Sequence, residues 1–137
     1  MAKSIVSIVK GTDPEKMVEE ALSLLGGLDS LIKPKSTVVI KPNAGHPGPP
    51  ETSVNVSPAF VAAVIKVLRK AQPKEIILAE SAAIGCDTQE CFDISGVGKA
   101  AEEAGAKVAL PPMEIPGGQG TFSIYILGGI EHGLWQL

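Results

Sequence analysis

Apolar positions along this chain fall into two patterns, short continuous runs and runs spaced by three or four residues. Residues 4–10, Ser-Ile-Val-Ser-Ile-Val-Lys, predict a first strand. Thr12 with Glu15 three residues later makes a capping box, and Pro14 suits a first helical turn. Met17, Ala21, Leu24, Leu25 and Leu28 then share one face of a 3.6-residue period, and Gly26-Gly27 supplies the stop. After a turn at 33–36, residues 37–41 predict a second strand. Pro42 ends it, because proline has no N–H to give to the ladder. Ser57-Pro58 starts a second helix, with Val61, Val64, Ile65 and Leu68 as its buried stripe and Arg69 and Lys70 at its C-terminal dipole end. Gln72-Pro73 closes that helix.

Residues 74–81 predict a third strand, whose unbroken apolar run fits a parallel strand covered on both faces. Asp87 with Glu90 caps a short helix through Ser95. A further helix runs from Val97 to Ala104 and stops at Gly105, and residues 106–110 form a fourth strand closed by Pro111-Pro112. The order β-α-β-α-β-α-β predicts an α/β fold: a three-layer, Rossmann-like, mostly parallel sheet. Residues 1–112 make this α/β domain. Residues 113–137 break the rhythm and form an atypical tail, in which 121–127 fit one additional C-terminal strand. The tail holds the one tyrosine and the one tryptophan of the chain, Tyr125 and Trp135, and reads either as cover for the sheet edge or as an interface.

Bulk properties narrow the classes. A length of 137 residues suits one domain, and 45% hydrophobic residues with only 4% aromatics require an aliphatic core. The net charge of −3 is spread without blocks of either sign, which argues against a nucleic-acid partner. No apolar stretch approaches the ~20 residues of a membrane span, so no membrane partner is expected. The N-terminus lacks a secretory pattern, and a prokaryotic cytoplasm is the expected location. Cys86 and Cys91 are separated by four residues, which fits neither a zinc pair nor a C-x-x-C motif; two reduced, partly buried thiols are expected.

Candidate chemistry gathers where strands end. The run Val38-Val39-Ile40 breaks into Lys41-Pro42-Asn43 and a loop over 42–56, rich in Pro and Gly, that carries His46, Glu51, Thr52 and Asn55. In open α/β sheets the C-terminal strand edge is where ligands sit. Long loops in compact domains are usually functional or disordered, and residues 44–56 are expected to act as a lid. Lys41 is suited to a phosphate or carboxylate, or is a surface lysine at a strand end. Asn43 holds a ligand group or closes an Asx-turn. Glu80, at the end of the third strand, is the catalytic acid/base candidate. Parallel strands would set it beside Lys41, as a working pair or as a structural ion pair. His46, Thr52 and Ser81 complete the expected ligand-binding set, although a lone histidine in such a loop is more often simply exposed. Walker and dinucleotide glycine motifs are absent, as is a G-x-S-x-G elbow, and with two histidines no metal site is expected.

Several segments together resemble the N-terminal part of domain of unknown function family 362. They are Ser7-Ile8-Val9-Lys10-Gly11, Ala21 to Gly27, Val39-Ile40-Lys41-Pro42-Asn43, Pro58 to Val64, Ile77-Leu78-Ala79-Glu80-Ser81, Phe92 with Gly96, and Ala104-Gly105-Ala106. The resemblance covers about residues 4–110; beyond it the tail departs from the family pattern, so the chain reads as half of a larger family domain. It implies a prokaryotic protein of unassigned activity, in a family often accompanied by a ferredoxin-like iron–sulfur domain. Two cysteines cannot supply the four thiolates of a cluster, so no cofactor is expected on this chain and the iron–sulfur cluster belongs to the family context alone. The resulting expectation is an uncharacterised domain that binds a small anionic ligand at the strand edge. The alternative is a non-catalytic oligomerisation or protein-interaction module. A half-sheet leaves an open edge, so a homo-oligomer is expected in either case.

Overall fold

The computed structural model describes residues 5–110. Along them run helix α1 (Pro14–Leu24), the single turn α2 (Leu28–Leu31), strand β1 (Thr37–Ile40), a 3-10 turn over Pro50–Thr52, helix α3 (Pro58–Arg69), strand β2 (Glu75–Ala79), helices α4 (Thr88–Ser95) and α5 (Val97–Glu103), and strand β3 (Lys107–Ala109). The fold class is α/β, with a parallel three-stranded sheet in the order β1-β2-β3. Val38 pairs with Ile76 and Ile40 with Leu78, while Leu78 pairs in turn with Val108.

Parallel neighbours joined by same-handed crossovers that step one way along a sheet keep their helices on one face. Accordingly α3 packs on α5, and α1 packs on α3. Val38, Ile40, Ile76 and Leu78 point to that face. They join Val61, Val64, Ile65, Leu68, Phe92 and Val97 in one largely aliphatic core, with Phe60 packed against it. Side chains alternate along a strand, so Ile77 and Ala79 point to the opposite face; both are buried. The described residues thus show one helical layer over the sheet. The expected extra strand at 121–127 and the tail from 113 lie outside them.

Residues 5–10 are a correction. They form no strand, and Ile5, Val6 and Ile8 are 72%, 80% and 88% exposed. Alternation makes a segment fit for a sheet, but a strand exists only where a neighbour accepts its ladder bonds. Among the described residues the pairs are β1 with β2 and β2 with β3. The start of α1 also shifts by one residue. Asp13, rather than Thr12, is the N-cap, and its Oδ1 accepts from the amides of Glu15 (3.1 Å) and Lys16 (3.2 Å). This setting puts Pro14 at the first helical position, where its missing N–H costs nothing. On α1, Val18 and Leu22 are buried, while Leu24, expected on the inward face, is exposed.

Elsewhere the local rules hold. Ser57 caps α3, accepting from the Phe60 amide at 3.1 Å, and Asp87 caps α4, accepting from the Glu90 amide at 2.9 Å. Gly96 separates α4 from α5 at φ +71°, a left-handed conformation that a side chain would strain.

Candidate functional site

The parallel register carries β1 and β2 to one edge together, and the residues just past each strand face each other there. Lys41, next after Ile40, reaches Glu80, next after Ala79. Its Nζ lies 2.6 Å from Oε1 and 2.8 Å from Oε2. The Glu80 side chain is 4% exposed and that of Lys41 58%. The Ser81 amide donates to Glu80 Oε1 at 2.8 Å. A buried carboxylate is tolerated only when charge and hydrogen bonds compensate it; here an ammonium and a main-chain N–H do so. The ammonium remains more than half in water and is held in one place at the sheet edge. Ser81 itself is exposed and meets the pair through its backbone.

The loop that rises from Pro42 is fastened rather than loose. Val56 donates its amide to the Asn43 carbonyl at 2.7 Å, and Asn43 Nδ2 donates to the Val54 carbonyl at 3.4 Å. The Asn43 carboxamide therefore spans the base of the loop. Asn55 is buried. Its Oδ1 accepts from the His46 amide at 3.3 Å, and its Nδ2 donates to the carbonyls of His46 at 2.8 Å and Gly48 at 3.1 Å. One side chain thus does for the bend what a neighbouring strand would do. A Cβ at Gly48 would lie 2.5 Å from Val54 Cγ1 and 3.0 Å from Thr52 Oγ1, so a larger residue there would displace those side chains. The Ala83 amide donates to the Gly45 carbonyl at 3.0 Å and ties the bend to the segment after β2. These bonds tie residues 43–56 into a rim that begins two residues past Lys41.

Of the expected site residues, the structure brings Lys41, Glu80 and Ser81 together. Asn43 and His46 belong to the rim. His46 is exposed and uses its backbone N–H and carbonyl there. Thr52 is exposed, and its hydroxyl donates to the Pro49 carbonyl at 2.7 Å, which closes the 3-10 turn. Asn55 is the residue whose role sequence reasoning passed over. Its signal is an amide side chain, able to donate and accept at once, inside a glycine–proline loop just before the Ser57 cap. Among the described residues no three His, Cys, Asp or Glu side chains gather as a metal group, and no helix is long and apolar enough to cross a membrane.

The sequence profile described as Domain of unknown function (DUF362) matches residues 38–114, more than half of the 137. The chain belongs to the DUF362 family. The matched stretch starts in β1 and takes in the strand-edge pair, the rim, α3, β2, α4, α5 and β3. The resembling segments at 7–11 and 21–27 fall before it. Neither a curated protein nor a solved structure matches the chain.

Proposed function

We propose that this DUF362 chain is a cytoplasmic domain that binds a small anionic ligand at the C-terminal edge of its sheet. The observation that carries this reading is the Lys41 ammonium, anchored by the buried Glu80 yet 58% exposed beside a fastened rim. The carboxylate holds the ammonium from one side, and its water-facing side can donate to a carboxylate or phosphate oxygen. Glu80 acts first as the anchor. With a bound ligand displacing it, it becomes the acid/base group of the site. Asn43, His46, Thr52 and Ser81 line the approach. A Rossmann-like, three-layer completion of the sheet belongs to the same reading, since Ile77 and Ala79 are buried on the face opposite the helices.

The test is ligand-induced thermal stabilisation with inorganic phosphate and short carboxylates as probes. A rise in melting temperature that disappears in Lys41→Ala is expected. A rise of equal size in the variant removes Lys41 from the site and leaves its pair with Glu80 structural.

A second reading is favoured by a different observation, the exposed apolar side chains of Ile5, Val6 and Ile8. Apolar groups at consecutive and alternating positions in water suit an interface. We propose that a second copy of the chain covers them in a homo-oligomer. Sedimentation is expected to give a species larger than a monomer at micromolar concentration, and Ile5→Asp with Ile8→Asp should return it to monomer. A monomeric wild-type chain contradicts this second reading and leaves the first untouched.

A further inference from the structure

The proposed anion site leaves one pair of nucleophiles unused. Cys86 precedes the N-cap Asp87 of α4, and Cys91 is the fourth residue inside that helix. These are the N′ and N4 positions, whose side chains meet across the first turn of a capped helix. Here the cap is made, with the Glu90 amide donating to Asp87 Oδ1 at 2.9 Å and the Cys91 amide to the Asp87 carbonyl at 3.0 Å. The turn before it is also fixed, because the Cys86 amide donates to the Ala83 carbonyl at 2.9 Å. N′ and N4 normally hold two apolar groups; this helix has two thiols there, both free. Cys86 is partly exposed and Cys91 fully buried.

We propose that Cys86 and Cys91 are a reversible dithiol–disulfide pair, a site of oxidative modification at the N-terminus of α4. The oxidant is a low-molecular-weight disulfide. The Cys86 thiolate, the accessible one, attacks one sulfur of that disulfide. The external S–S bond breaks, one small thiol leaves and takes up the proton that Cys86 gave up, and a mixed disulfide remains on Cys86. The Cys91 sulfur then attacks Cys86 Sγ, forms the internal bond and expels the second small thiol. Two protein thiols are oxidised and one external disulfide is reduced to two thiols.

The formed cap sets both cysteines on the same first turn of α4, one just before it and one inside it. Burial, more than any other cause, holds the Cys91 thiol above its ordinary range, with Cys86, Glu90 and Asp87 adding to the effect. A thiol that resists ionisation attacks slowly. The second step is therefore the slow one, and the mixed disulfide is expected as a transient.

The experiment uses the full chain in glutathione buffers of increasing oxidised fraction, read by intact mass after alkylation of the remaining thiols. The expected course is a transient glutathione adduct, then a species with no adduct, no alkylation and the loss of two hydrogens, reversed by dithiothreitol. Cys91→Ser should hold the adduct permanently on Cys86, and Cys86→Ser should leave Cys91 unmodified in the folded protein. A wild-type chain that stays reduced and fully alkylatable on unfolding, or that stops at a stable adduct as Cys91→Ser does, overturns the proposal. A disulfide found only between two copies also overturns it.

Discussion

Strand β2 carries a glutamate near each end, and the two ends of the sheet treat it differently. At the N-terminal edge Glu75 meets Lys107 of β3 at 2.9 Å and accepts from the Thr37 hydroxyl at 3.3 Å. At the C-terminal edge Glu80 meets Lys41 with both oxygens. The chemistry is the same and the surroundings are not. Glu75 is 19% exposed with water around its partner lysine, which is 74% exposed. Glu80 is 4% exposed. The hollow beside Glu75, about 200 Å³, is bounded by Arg69, Lys74, Lys107 and strand ends. A carboxylate in water loses little when its partner goes. One removed from water depends on the partner, and this difference separates a surface ion pair from a built site.

The comparison breaks most visibly at Lys41. Lys41→Ala leaves the buried Glu80 with the Ser81 amide as its remaining contact, and an uncompensated buried charge is expensive, so a loss of about 3 kcal/mol is expected in urea unfolding at neutral pH. Glu80→Gln keeps an acceptor for Ser81 and leaves a lysine that water can solvate, so its cost is expected near 1 kcal/mol. Equal costs for the two variants would contradict the burial asymmetry. Lys107→Ala, the matching change at the other edge, should shift the unfolding midpoint less than either.

The rim sharpens the contrast. Asn55→Ala strips partners from the His46 amide and from the carbonyls of His46 and Gly48, and a loss of about 2 kcal/mol is expected. Amide exchange at His46 should accelerate in this variant while the β2 amides stay protected; uniform acceleration would mean that Asn55 supports the whole fold rather than the bend. A smaller effect is expected at helix α3, just past the rim, where Ser57→Ala removes one cap bond, at about 1 kcal/mol.

The smallest effect is the acid response of the N-terminal edge. The Lys107 ammonium bonded to Glu75 holds its carboxyl below the usual range, and the backbone amide of Lys16 does the same for Asp13. A carboxyl with a depressed folded-state pKa stabilises the fold above its unfolded value, and that contribution is lost as pH falls through the folded value. Stability should therefore drop in the acid range, and Glu75→Gln should flatten part of that drop. An unchanged acid limb in Glu75→Gln would mean that the pair makes no difference to folding.

Much of this fold is legible where a rule acts over three or four residues. Ser57-Pro58 and Asp87 with Glu90 mark their helices at the observed start, and Gly26-Gly27 marks a stop. The meeting of Lys41 and Glu80 is legible for a longer-range reason, because two paired parallel strands deliver the residues just past their C-terminal ends to one edge. The strand expected at 4–10 fails because alternation describes a face and says nothing about a neighbour. The shift from Thr12 to Asp13 arises because two adjacent residues both cap well, and Pro14 at the first helical position decides between them. Asn55 escapes because its value lies in three backbone groups that come together only when the loop has folded.

The most direct test of the strand-edge site is an amide chemical-shift titration of the full chain with inorganic phosphate, repeated on Lys41→Met, which keeps the side-chain stem and removes the charge. Saturable shifts confined to Lys41, Asn43, Gly45 and Ser81, and lost in Lys41→Met, are predicted. Shifts centred instead on Arg69, Lys74 and Lys107, or shifts unchanged in Lys41→Met, would contradict the account and make the two ends of β2 alike.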